Sequence, residues 1–175
     1  MSESIELVSL LDNDGNVIGT ADKLVVHSTD TPLHLAFSCH VFNPAGKVLV
    51  TRRALAKRTW PGVWTNSFCG HPAPGEQMED AVRRRAAAEL GIAIDGLELV
   101  LPDFRYRAVD ASGLVENEVC PVYRATTRDA VTPSPDEVVE FEWVEPRSLQ
   151  ASVAATPFVF SPWIVLQLEA GALEL

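Results

Sequence analysis

The order of apolar and polar positions divides the chain into short alternating runs, one long helical stretch and several turn-forming clusters. Residues 6–11 and 16–20 flank Asp12-Asn13-Asp14-Gly15, a pattern that predicts a hairpin. Residues 23–34 are polar enough to be partly loop. Residues 34–42 predict one strand, with His34, Ala36, Ser38 and His40 on one side and Leu35, Phe37, Cys39 and Val41 on the other. Asn43-Pro44-Ala45-Gly46 then turns the chain into a strand over 47–53. Further along, 97–101 and 104–108 read as extended, Asp110-Ala111-Ser112-Gly113 as a turn, and 114–125 as one long strand on which Glu116, Glu118 and Cys120 share a face. Two carboxylates on one face repel, so positive charge is expected between them. Residues 138–144 give another strand and 147–154 a short helix, while Ser161-Pro162 reads as an N-cap with proline at N1 opening a helix over 163–170. The expected architecture is α+β, mixed and antiparallel sheets flanked by helices, in a single domain over residues 1–175.

The helical stretch, residues 76–90, has no Gly or Pro, is rich in Ala, Glu and Arg, and meets Gly91 where a left-handed C-terminal cap belongs. At about 100° per residue, Met78, Ala81, Val82, Ala86 and Leu90 form one apolar stripe, with Arg85 and Glu89 in its middle. Such a pair is either a structural ion pair at the edge of the core or a polar face looking into a ligand-filled cleft. Arg83 and Arg84 fall off the stripe, toward solvent.

Charge narrows the candidate functions. A formal net charge of −10 argues against a general nucleic-acid or membrane-surface binder, both of which depend on clustered positive charge. An anionic ligand would need a local cluster, and Arg52, Arg53, Lys57 and Arg58 place four of the 14 basic residues in one short segment. Met1-Ser2-Glu3-Ser4 lacks the features of a signal peptide, and no apolar run approaches the roughly 20 residues of a membrane span, so a cytoplasmic location is expected. Three cysteines without CxxC spacing, Cys39, Cys69 and Cys120, are expected to be reduced.

Candidate chemistry comes from His27, His34 and His71 together with Glu116 and Glu118. These nitrogen and oxygen donors suit a divalent ion such as manganese, magnesium or zinc, although their spacing fixes no known metal motif. His40 fits a core position. Cys69 lies near the predicted helix start and near basic residues, which can favour thiolate, although a buried inert cysteine is the commoner reading of a single Cys. Opposite such a thiol, Glu118 could complete an acid/base pair. Phe37, Tyr106 and Trp163 read as core aromatics, but an indole face also suits a cation.

From Gly70 the chain reads Gly70-x5-Glu76-x7-Arg84-Arg85-Ala86-Ala87-Ala88-Glu89-Leu90-Gly91-Ile92, which resembles the Nudix box G-x5-E-x7-R-E-U-x-E-E-x-G-U, U being a bulky apolar residue. Arg85 and Ala88 replace two of its acidic positions. More specifically, His34-Leu35-Ala36-Phe37-Ser38, Thr51-Arg52-Arg53-Ala54-Leu55, Trp60-Pro61-Gly62-Val63-Trp64-Thr65-Asn66-Ser67, Cys69-Gly70-His71-Pro72, Tyr106-Arg107-Ala108, Glu116-Asn117-Glu118-Val119-Cys120-Pro121 and Phe160-Ser161-Pro162-Trp163 resemble type I isopentenyl-diphosphate isomerases of the short bacterial form. That resemblance implies a 1,3-allylic proton shift with Cys69 and Glu118 as acid/base groups, Tyr106 beside the glutamate and Trp163 over the developing cation. It implies a manganese-type ion (or zinc or magnesium) on His27, His34, His71, Glu116 and Glu118. It implies a magnesium near Glu89 with the substrate diphosphate, bound by Lys23, Arg53, Lys57 and Arg85. The implied partner is a small diphosphate, with no nucleic acid or membrane, on a monomer or weak homodimer. The alternatives are a Nudix hydrolase of a nucleoside diphosphate derivative, disfavoured by the lost carboxylates, and a non-catalytic Nudix-like binding module.

Overall fold

The computed structural model describes residues 6–174; Met1-Ser2-Glu3-Ser4, read above for a targeting signal, lie outside them. In chain order the strands are β1 (Leu7–Leu11), β2 (Val17–Asp22), β3 (His34–Leu35), β4 (Phe37–Phe42), β5 (Val48–Arg53), β6 (Trp64–Thr65) and β7 (Phe68–Gly70). After helix α1 (Met78–Leu90) come β8 (Asp95–Leu101), β9 (Arg105–Val109), β10 (Val115–Val119), β11 (Val122–Thr126) and β12 (Val138–Val144). Helix α2 (Pro146–Ala155), a single 3-10 turn at Pro157–Val159 and helix α3 (Pro162–Glu169) complete the fold. Ser161 caps α3 through its side chain, with Pro162 in the first turn as expected.

The strands form two mixed sheets. One has the order β2-β1-β3-β10-β9, and the other β12-β5-β4-β11-β8 with β6 beside β5 and β7 beside β4. Helix α1 covers one face of the second sheet: Ala81, Val82, Ala86 and Leu90, all fully buried, pack with Phe37, Cys39, Val41 and Leu49. Helices α2 and α3 cover the other face through Leu149, Val153, Ile164 and Leu168 against Val48, Val50 and Val122. Each fully buried large aliphatic side chain here contributes roughly 1.5–3 kcal/mol.

Two expected strands break. Residues 34–42 do not run as one strand: they pass from the first sheet as β3 into the second as β4, changing at Ala36. Residues 114–125 likewise divide at Cys120-Pro121 into β10 and β11. The breaks lie side by side, because β3 pairs in parallel with β10 and β4 with β11. Backbone bonds bridge the switch: Ala36 N donates to Val119 O at 2.9 Å and Ser38 N to Pro121 O at 3.1 Å. Both sides of β4 are therefore buried, one against α1 and the other beneath α3, where two exposed alternating faces would not be stable.

Helix α1 begins at Met78, two residues after the expected start, because Glu76 belongs to the preceding turn. Its carboxylate accepts from Ala73 N at 2.7 Å and pairs with Arg84, which is exposed like Arg83. Gly91 closes the helix at φ 65°, the left-handed cap that the sequence predicts.

Candidate active site

The break between the sheets opens a cleft lined by Lys23, His27, Arg53, Lys57, Thr59, Cys69, His71, Arg85, Glu89, Tyr106, Glu116, Glu118, Glu137 and Trp163. Each predicted site residue lines it except His34, which is fully buried directly behind. Strand β10 supplies Glu116 and Glu118, alternate residues on one face, and β9 brings Tyr106 opposite Glu118 in register. Where positive charge is expected between the carboxylates, the structure places imidazoles. His27 Nε2 lies 2.8 Å from Glu116 Oε2, while His71 Nε2 and His34 Nε2 approach Glu118 Oε1 at 3.1 and 3.4 Å.

His27, His34, His71 and Glu118 bring one ligand atom each within 4.8 Å of one another, a group able to hold a divalent ion. His34 Nδ1 hydrogen-bonds Pro32 O at 2.9 Å, which orients Nε2 toward the cluster. His34 Nε2 and His71 Nδ1 are buried without a hydrogen-bond partner, an arrangement that costs free energy unless a ligand takes the lone pair. The donor set therefore fits a metal. Glu116 stands outside the closest four, and its second oxygen accepts from Thr59 Oγ1 at 2.8 Å.

The two oxygens of Glu118 have different surroundings: Oε1 faces the imidazoles, and Oε2 accepts from Tyr106 Oη–H at 2.9 Å. Burial works to raise this carboxyl's pKa, but the close approach of the His34 and His71 imidazoles outweighs it and holds the pKa well below the usual carboxylate range.

Cys69 lies on β7, well before α1, so no helix end acts on it. Burial pushes its thiol up to about 12, and the Ser38 hydrogen bond at 3.1 Å only partly opposes this. Of the two readings of Cys69, the environment favours the protonated one: it stands as a thiol. Trp163, nearly buried, packs with Tyr106 at a ring separation of 5.8 Å and with Trp60, edge-on, at 5.4 Å. The Arg53 guanidinium lies 5.2 Å from the Trp163 ring centre and also donates to Thr59 O and Trp60 O.

Also lining the cleft, Arg85 donates to Glu89 at 2.9 Å and reaches Glu137 at 3.2 Å, and Lys57 pairs with Glu137 as well. Lys23 pairs with Glu6 at 2.6 Å. Burial raises the Glu89 pKa against the pull of Arg85. The mid-stripe ion pair thus faces the cleft, joined by Glu137. Nothing in the sequence of residues 132–138 singles Glu137 out, because its neighbours in space come from α1 and the basic loop. Arg52 turns away to Glu140, and Arg58 lines the rim. Among the described residues no helix is long and apolar enough to cross a membrane, and Cys39, Cys69 and Cys120 are free.

Comparison with known proteins agrees with this geometry. Residues 32–164 match the NUDIX domain. The isopentenyl-diphosphate Delta-isomerase of Leifsonia xyli subsp. xyli is 64% identical over 172 residues, covering 97% of this chain and 93% of its own. Its counterpart from Clavibacter michiganensis subsp. michiganensis is 63% identical over 168 residues, covering 96% and 87%. The crystal structure of DR0079 from Deinococcus radiodurans superposes with a TM-score of 0.65 at 23% identity over 86% of this chain and 90% of that one, a likeness of fold. By domain, fold and identity along nearly its whole length, the chain belongs to the Nudix family and, within it, to the isopentenyl-diphosphate Delta-isomerases.

Proposed function

We propose that the cleft interconverts isopentenyl diphosphate and dimethylallyl diphosphate, with Cys69 and Glu118 exchanging protons with the allylic unit. One group adds a proton to the terminal methylene carbon, leaving positive charge on the tertiary carbon. The other removes a proton from the methylene next to the oxygen-bearing carbon, and that C–H electron pair becomes the new double bond. In the reverse direction the two groups exchange roles. The observation that carries the reading is the convergence of Cys69, Glu118, Tyr106 and Trp163 on one cleft that Lys57 and Arg85 also line. The indole ring stabilises the cationic carbon, and Tyr106 orients the Glu118 oxygen that handles the proton.

His27, His34, His71, Glu116 and Glu118 would hold the manganese-type ion, which supplies fixed positive charge that organises the carboxylates. Lys23, Arg53, Lys57 and Arg85 would bind the diphosphate. Glu89 and Glu137 pair with Arg85, and Glu137 with Lys57, before substrate arrives; Glu89 would help hold a magnesium that arrives with the diphosphate. Tyr106 and Trp163, backed by Trp60 and Phe104, would keep water from the cation. The free cysteines support a cytoplasmic location for this reaction, since thiols persist there.

Incubation with isopentenyl diphosphate and Mg2+ in heavy water tests the proposal. The expected result is dimethylallyl diphosphate carrying deuterium. Phosphate release without isomer would overturn it in favour of the hydrolase.

A further inference from the structure

Asn66 sits between β6 and β7 and is fully buried, yet nothing in the chemistry above uses it. Its amide has every bond accounted for. Nδ2 donates to Phe68 O at 2.7 Å and to Cys39 O at 3.1 Å, two carbonyls that accept only. The flip of the amide is therefore fixed, and Oδ1 must face the other way. There it meets three donors: Thr65 Oγ1 at 2.9 Å, Trp163 Nε1 at 3.1 Å and Cys69 Sγ at 3.3 Å. Because Oδ1 cannot donate, the Cys69 proton points at Asn66. The other side of the sulfur meets Ser38 Oγ, itself held by Gln167 Nε2 at 2.8 Å.

We propose that Asn66 is a positioning residue, whose one amide oxygen sets both the rotamer of Cys69 and the plane of the Trp163 indole, keeping proton donor and cation-facing ring in a fixed relation. The inference rests on the reading of Cys69 and Trp163 as acid/base and cation-stabilising groups. Cys69 comes from β7 and Trp163 from α3, and Asn66 is the side chain that bonds to both. Cys69 and Trp163 also share one packed cluster, so a small rotation of either moves it relative to the other. A displacement of about 1 Å at a reacting group costs about 100-fold in rate.

The test is Asn66→Ala compared with the unaltered protein, reading kcat and KM for isopentenyl diphosphate and the indole N–H signals in a 15N-labelled sample. The chain has four tryptophans, so Trp163 is identified by the signal lost in Trp163→Phe. The expected result is a kcat lower by about 100-fold, a KM within about threefold, and a displaced Trp163 N–H signal. If Asn66→Ala does not fold, Asn66→Asp keeps the acceptor oxygen while losing the donor. Its oxygen still accepts from the indole while the second oxygen meets the two carbonyls, so the Trp163 N–H signal should keep a hydrogen-bonded, downfield position. An upfield signal of a free indole N–H overturns the proposal. Unchanged kcat in Asn66→Ala, alongside an inactive Cys69→Ala, overturns the positioning role while leaving the acid/base reading standing. Full activity in Cys69→Ala overturns both.

Discussion

His40 gives a quantitative test of how the core beneath the site is built. Gln167 Nε2 donates to Ser38, so Gln167 Oε1 is the acceptor for His40 and His40 Nε2 carries the ring proton, at 3.0 Å. His40 Nδ1 is buried without a partner, so a second proton there would place an unsolvated charge in the core. Burial, only partly opposed by the Gln167 bond and reinforced by the charge of Arg124, lowers the imidazole from 6.5 to about 4. Because the folded pKa lies below the unfolded one, the unfolded chain takes up the proton first. The contribution to stability is complete above pH 6.5 and is lost as the pH falls toward 4. The loss amounts to about 2 kcal/mol by pH 5 and about 3 kcal/mol by pH 4. Urea unfolding of the unaltered protein and of His40→Gln at pH 7.5, 6, 5 and 4 reads it, since groups common to both cancel in the difference. The gap should shift by these amounts in favour of the variant at low pH. Parallel stability curves would refute the assignment of a neutral buried imidazole.

Cys69→Ala and Glu118→Gln should each lower turnover by at least 100-fold with the thermal midpoint little changed, whereas Cys120→Ala retains most activity; steady-state rates and calorimetry check all three. Arg85→Ala leaves Glu89 buried without its cation and should cost about 3–5 kcal/mol in chemical denaturation. Arg85→Ala together with Glu89→Ala should cost distinctly less than the sum of the two single changes. Gly70→Ala would bring its Cβ within 2.7 Å of the Phe37 ring and 2.8 Å of Arg85, and about 1–3 kcal/mol of destabilisation should follow. Manganese at 100 times its dissociation constant should stabilise the chain by about 2.7 kcal/mol, a gain abolished by a chelator and much reduced in His34→Ala.

The helix over α1 was legible because its apolar stripe, its lack of Gly and Pro and its Gly91 cap are all local signals. The same stripe exposed Arg85 and Glu89 as out of place. The hairpin of β1 and β2 and the cap of α3 were legible for similar reasons. The breaks at Ala36 and at Cys120-Pro121 were not. Alternation continues through both, and only Pro121, which lacks a backbone donor, hinted at the second. Asn66 and Glu137 escaped notice because neither its own segment nor its spacing shows what each touches.

By itself the sequence determined the helix α1, the hairpin of β1 and β2 and the capped helix α3, that Glu116 and Glu118 share a face, and that the acidic chain carries a local cationic cluster. Those features depend on backbone periodicity and composition, which act over a few residues. Only the tertiary structure decided that β3 and β10 leave one sheet where β4 and β11 enter the other, opening the cleft. It likewise decided that Cys69 is held as a thiol, because its pKa follows from how completely the surrounding elements exclude water, a property of the packed whole.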